Sequence, residues 1–101
     1  MLPQRDQPLP IKAIIADDHP LFRAALRQTL GASLQGDMRD AENFTQLMDI
    51  LAQESDVELV LMDLNMPGNQ GLTGLTTVRN QFPDVQVMIV SANEQLNVIE
   101  R

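Results

Sequence analysis

The chain has no cysteine, no tryptophan and no tyrosine, and only three phenylalanines among its 101 residues. Without cysteine there is no disulfide framework and no thiolate metal site. This fits a cytoplasmic setting. No apolar run is long enough to cross a bilayer, so no membrane association is expected. The first ten residues, with Pro3, Pro8 and Pro10, lack an apolar core segment and so do not form a signal peptide. Residues 1–10 are expected to be a disordered or extended lead-in. Positive charge is also scarce: seven Lys and Arg stand against fourteen Asp and Glu, a net charge of −7. A segment this acidic is not expected to grip nucleic acid through its phosphates.

What is present is a rhythm of short apolar runs and amphipathic stretches. Apolar runs are expected to form strands at residues 11–17, 57–62 and 85–90, with a weaker strand near 38–41. Helices are expected from Pro20 to about Leu30, with Gly31 as the stop, from Phe44 to Gln53 and from Leu72 to Gln81. A last helix is expected to begin near Glu94. Strands alternating with helices of this length imply βαβ units and a doubly wound parallel α/β sheet. In the flavodoxin-like order 2-1-3-4, strands one and three are neighbours at the switch point. Ligands of such sheets bind beyond the carboxyl ends of the strands.

Acidic residues stand at those ends. The first strand stops at Asp17-Asp18-His19-Pro20 and the third at Asp63-Leu64-Asn65-Met66-Pro67-Gly68. Three carboxylates brought together repel one another unless a cation or proton intervenes. A divalent metal site and phosphate chemistry are therefore expected. Mg²⁺ suits an all-oxygen set, because it takes one or two carboxylates, several waters and a phosphate oxygen.

The acidic pair, the Asp63–Gly68 turn with Gly71, and Ser91-Ala92 closing the fourth strand together resemble the receiver domains of two-component response regulators. The string Asp17-Asp18-His19-Pro20-Leu21-Phe22-Arg23 resembles the subgroup that carries a LuxR-type helix-turn-helix. The resemblance covers residues 11–101 and implies a CheY-like fold. It makes Asp63 the phosphoacceptor for a sensor histidine kinase and Asp18 a direct Mg²⁺ ligand. Asp17 acts beside the metal, often through water, the backbone carbonyl of Asn65 contributes a third oxygen, and Ser91 hydrogen-bonds the phosphoryl group. The output it implies is a transcriptional, DNA-binding one. It also implies a signalling domain that catalyses its own phosphoryl transfer, rather than a turnover enzyme.

The same family continues with a fifth strand ending in a lysine, and a fifth helix. The only lysine here is Lys12, inside the first strand. The domain is thus expected to be incomplete at its carboxyl end, with strand four an open edge at Val87 and Ile89. Self-association, as a homodimer or through that edge, follows from the same reasoning. The alternative is a pseudo-receiver, an interaction module without phosphorylation. A haloacid-dehalogenase-like phosphatase would space its acids as Asp-x-Asp, and a flavodoxin would not place two acids where a phosphate binds.

Each residue also has a plainer reading. Asp17 and Asp18 are acceptable at a helix start, Asp63 in a turn, and Ser91 at a strand end. His19 is expected to be structural or solvated, with no catalytic role. Arg23, Arg27 and Arg79 are expected on solvated helix faces, Met62 and Met66 in packing, and Gly68 and Gly71 at positions of backbone geometry.

Overall fold

The structure, a computed structural model, describes residues 11–34, 36–68, 71–91 and 97–100, with side chains except at 32–34, 91 and 97–100. The lead-in at 1–10 and the Ala92-Asn93 corner lie outside the described residues.

Strand β1 (Ala13–Ala16) is buried at every position, as expected of a strand covered on both faces. It lies between β2 (Met38–Ala41) and β3 (Leu59–Asp63), parallel to both. Strand β4 (Gln86–Ser91) adds in parallel to β3. The order 2-1-3-4 therefore stands as expected. The chain's last described segment departs from expectation. Residues 97–100 form not a helix but β5 (Asn97–Glu100), antiparallel to β4, with Ser91 opposite Asn97 and Met88 opposite Glu100. Strand β4 is accordingly no open edge, and Val87 and Ile89 are buried. Val98 and Ile99 are β-branched residues that suit a strand.

Helices α2 (Phe44–Gln53) and α3 (Leu72–Gln81) pack Leu47, Leu51, Leu75 and Val78 against Ile14, Val60, Met62 and Val87 on one face of the sheet. Helix α1 (Pro20–Leu34) packs Phe22, Leu26 and Leu30 against Ile15, Leu61 and Val90 on the other. An apolar groove runs beside it, lined by Ala25, Thr29 and Met88 among others. Helix α1 passes through Gly31, the expected stop, to Leu34. A glycine costs a helix about 1 kcal/mol, an amount that packing along α1 can offset.

The helix starts are well specified. At α2, Asn43 accepts from the Gln46 N–H at 2.8 Å, while the Gln46 side chain accepts from the Glu42 N–H at 2.8 Å. The Gln46 amide thus reaches the residue before the cap, one position away from the pairing of a capping box. At α1, the Arg23 N–H donates to the His19 carbonyl, so the helix cap falls on His19 and not on the acid pair.

Candidate functional site

The register of the sheet brings the acids together. Ala16 lies opposite Met62, so Asp17 and Asp63 follow each other's neighbours at the carboxyl ends of adjacent strands. Both are buried, Asp17 fully and Asp63 at 3% exposure, whereas Asp18 is open to solvent. Two further bonds fix the first pair. The Asp17 N–H donates to the Ala41 carbonyl on β2 at 2.9 Å. The Arg23 guanidinium donates to the Asp17 carbonyl at 2.7 Å. Arg23 also reaches Asp40 at 3.2 Å, and Arg27 pairs with Asp40. Arg23 is thus no solvated helix residue: its side chain is 11% exposed and ties α1 and β2 to the site. Sequence reasoning missed it because its partner is a backbone carbonyl across the β1–α1 turn.

Asp63 is held by the turn that follows it. The Asn65 N–H donates to its Oδ1 at 3.0 Å, and the Met66 N–H to its backbone carbonyl at 3.2 Å. Met66 is buried in the core, which pins the turn from below. The Pro67 carbonyl accepts from the Phe44 N–H at 3.0 Å. Gly68 then takes φ = +83°, and a Cβ there would lie 3.3 Å from that of Phe44. The glycine is required twice, for conformation and for space.

His19 also belongs here. Its Nδ1 lies 2.6 Å from Asp17 Oδ1, 3.2 Å from Asp18 Oδ1 and 3.8 Å from Asp63 Oδ2. One ligand atom from each of Asp17, Asp18, His19 and Asp63 falls within 4.8 Å of the others. The hydrogen bond to Asp17, above all, pushes the imidazole pKa up. Its only sequence signal is adjacency to the acid pair. Ser91 is placed by its backbone alone: it follows Val90, the residue in register with Asp63, and its side chain lies outside the described residues.

The electrostatics are unfavourable to three ionised carboxylates in so small a space. Two unit charges 4.8 Å apart repel by roughly 3 kcal/mol at an effective dielectric of about 20. Burial pushes the Asp63 carboxyl up from its ordinary range, with the Asp17 charge adding to it, and the Asn65 N–H pulls it part of the way back. Asp17 Oδ2 is buried with no hydrogen-bond partner. Such an oxygen is costly unless a cation or donor meets it. The donor set therefore fits an oxygen-seeking divalent ion such as Mg²⁺.

Comparison with known proteins agrees with this geometry. The family model of the response regulator receiver domain matches residues 13–101. The glycerol metabolism activator of Pseudomonas putida is 39% identical over 89 residues, which cover 87% of this chain and 40% of that protein. The nitrate/nitrite response regulator protein NarP of Escherichia coli K12 is 32% identical over 89 residues, covering 84% of this chain and 40% of that protein. Among solved structures, RcsB from Salmonella enterica serovar Typhimurium, bound to promoter rprA in the presence of phosphomimetic BeF₃⁻, superposes with a TM-score of 0.74 at 27% identity. The match covers 83% of this chain and 43% of that one. The chain thus spans about 40% of the length of these curated relatives.

Proposed function

The chain belongs to the response regulator receiver domain family, and from that premise we propose that Asp63 accepts a phosphoryl group from a sensor histidine kinase. The observation that carries this reading is the placement of Asp63. It is a buried carboxylate at the end of β3, beside two further carboxylates and an unsatisfied Asp17 oxygen.

A carboxylate oxygen of Asp63 attacks phosphorus of the phosphohistidine. The P–N bond breaks, its electron pair stays with the donor imidazole, and an aspartyl phosphate remains. Bound Mg²⁺ supplies the positive charge that offsets repulsion between the nucleophile and the phosphoryl oxygens. Asp18 would hold the ion directly with Asp17 beside it, and Asp63 itself and the Asn65 backbone carbonyl would complete the protein's share. The Asn65 N–H keeps the Asp63 carboxylate aimed, and Arg23 fixes the backbone of Asp17 from the side. The Ser91 hydroxyl follows the new phosphoryl oxygens, and its movement repacks the β4 end of the domain.

Residues 11–101 act as the receiver, in the cytoplasm, and phosphorylation switches a transcriptional, DNA-binding output. The acidic segment makes no nucleic-acid contact of its own. The groove beside α1 supports self-association as a homodimer.

Intact mass spectrometry after incubation with acetyl phosphate tests the reading. The expected result is a Mg²⁺-dependent gain of one phosphoryl group, absent in Asp63→Asn. No gain with Mg²⁺ present would favour the pseudo-receiver, an interaction module without phosphorylation.

A further inference from the structure

Building on the reading of Asp63 as a phosphoacceptor, we propose that Asp40 on β2 is a positioning residue for phosphoryl transfer, acting on the acid pair through the Arg23 guanidinium. Asp40 stands outside the cluster of Asp17, Asp18, His19 and Asp63.

Both backbone polar groups of Asp17 are tied to the carboxyl end of β2. Its N–H donates directly to the Ala41 carbonyl at 2.9 Å. Its carbonyl accepts from Arg23 Nη1 at 2.7 Å, and Arg23 Nε donates to Asp40 Oδ2 at 3.2 Å. That carbonyl belongs to the planar peptide joining Asp17 to Asp18, so its tilt sets how the two acids stand relative to each other. Tilt matters because Mg²⁺ demands near-ideal octahedral geometry of the carboxylates that would hold it. Arginine presents its donors in a rigid planar fork, so a bond from Nε to Asp40 also aims Nη1. Asp40 is itself held: Arg27 pairs with it and donates to the Met38 carbonyl at 3.1 Å. As an ion pair alone, with Asp40 39% exposed, the contact would add little stability. Glu42 provides the contrast. Its carboxylate is 3.9 Å from Arg23 Nη2, beyond hydrogen-bond reach.

Asp40→Ala and Glu42→Ala in the whole chain test this together. Each removes one negative charge beside the same guanidinium, but only Asp40→Ala removes the acceptor that aims it. At one fixed Mg²⁺ concentration, Asp40→Ala should slow phosphoryl gain from acetyl phosphate about tenfold, and Glu42→Ala far less. Arg23→Lys keeps the charge but loses the fork, and should slow the gain at least as much. Added to Arg23→Lys, Asp40→Ala should slow it no further, because Asp40 acts only through that guanidinium. In the absence of any divalent ion, Asp40→Ala should shift the ¹³C resonance of the Asp17 carbonyl, and Glu42→Ala should leave it in place. Equal slowing by Asp40→Ala and Glu42→Ala would overturn the proposal while leaving Asp63 as the phosphoacceptor. So would an Asp17 carbonyl resonance that Asp40→Ala leaves unmoved, or a lowered melting temperature in Asp40→Ala with an unchanged rate. A parent chain that gains no phosphoryl group would overturn both.

Discussion

The two ends of the sheet carry the same kinds of residue and treat them in opposite ways. At the amino end, Lys12 meets Glu54 at 2.5 Å and Asp56 at 3.0 Å, and Arg39 meets Glu54 at 3.2 Å. Hydrogen bonding to Lys12, first of all, holds the carboxyls of Glu54 and Asp56 below their ordinary range. At the carboxyl end it is the His19 imidazole that meets Asp17 and Asp18, at 2.6 and 3.2 Å. The Arg23 guanidinium goes instead to a backbone carbonyl. Burial there pushes Asp63 up. An acid paired with a lysine supports the fold, whereas acids crowded beside one another favour a cation.

The comparison can be broken or sharpened experimentally. The largest effect is expected at the open end: Asp18→Asn should lower Mg²⁺ affinity by about tenfold or more, read by calorimetric titration. Next is the turn that aims Asp63. Gly68→Ala forces a side chain into positive φ and towards Phe44, and should cost about 1–2 kcal/mol in denaturant unfolding.

The pH dependence of the two ends should differ in sign. The Asp63 pKa is raised above its ordinary 3.8, so its contribution to stability is full below that value and is lost as pH rises through the folded-state pKa. His19 is raised above 6.5 and acts in the same direction at higher pH. Glu54 and Asp56 are lowered, so theirs is present above 4.5 and 3.8 and is lost as pH falls through the folded-state values. Metal-free melting temperature should therefore fall from about pH 4 upward by way of the carboxyl end, and saturating Mg²⁺ should flatten that fall. The smallest effect is at the amino end. Lys12→Met should lower stability slightly, and by less in high salt, because these pairs are near the surface.

Much of the fold was legible because period and punctuation agreed. Helices α2 and α3 begin and end where the pattern of Leu47, Leu51, Leu75 and Val78 and the flanking turn residues indicate. Strand β1 begins two residues later than its apolar run, and β3 shifts to include Asp63, because hydrogen-bonded register rather than hydrophobicity sets their limits. The extension of α1 through Gly31 and the turning back of residues 97–100 depended on tertiary partners that no local pattern records. In the site, the three aspartates were legible from their strand-end positions. The approach of His19 to Asp17 and the grip of Arg23 on the Asp17 carbonyl were not, since both require the geometry of the β1–α1 turn.

The central claim is that the acids at the carboxyl end are kept in mutual repulsion for a cation and a phosphoryl group. Its most direct test is the melting temperature of the chain and of Asp63→Asn at neutral pH, each with and without Mg²⁺. The account predicts that, without the ion, the variant melts higher than the parent, because a buried charge is removed while the Asn65 N–H keeps an oxygen acceptor. With Mg²⁺ the parent should gain more than the variant and close the gap. A variant that melts lower than the parent without metal, or a parent that Mg²⁺ does not stabilise, would contradict it.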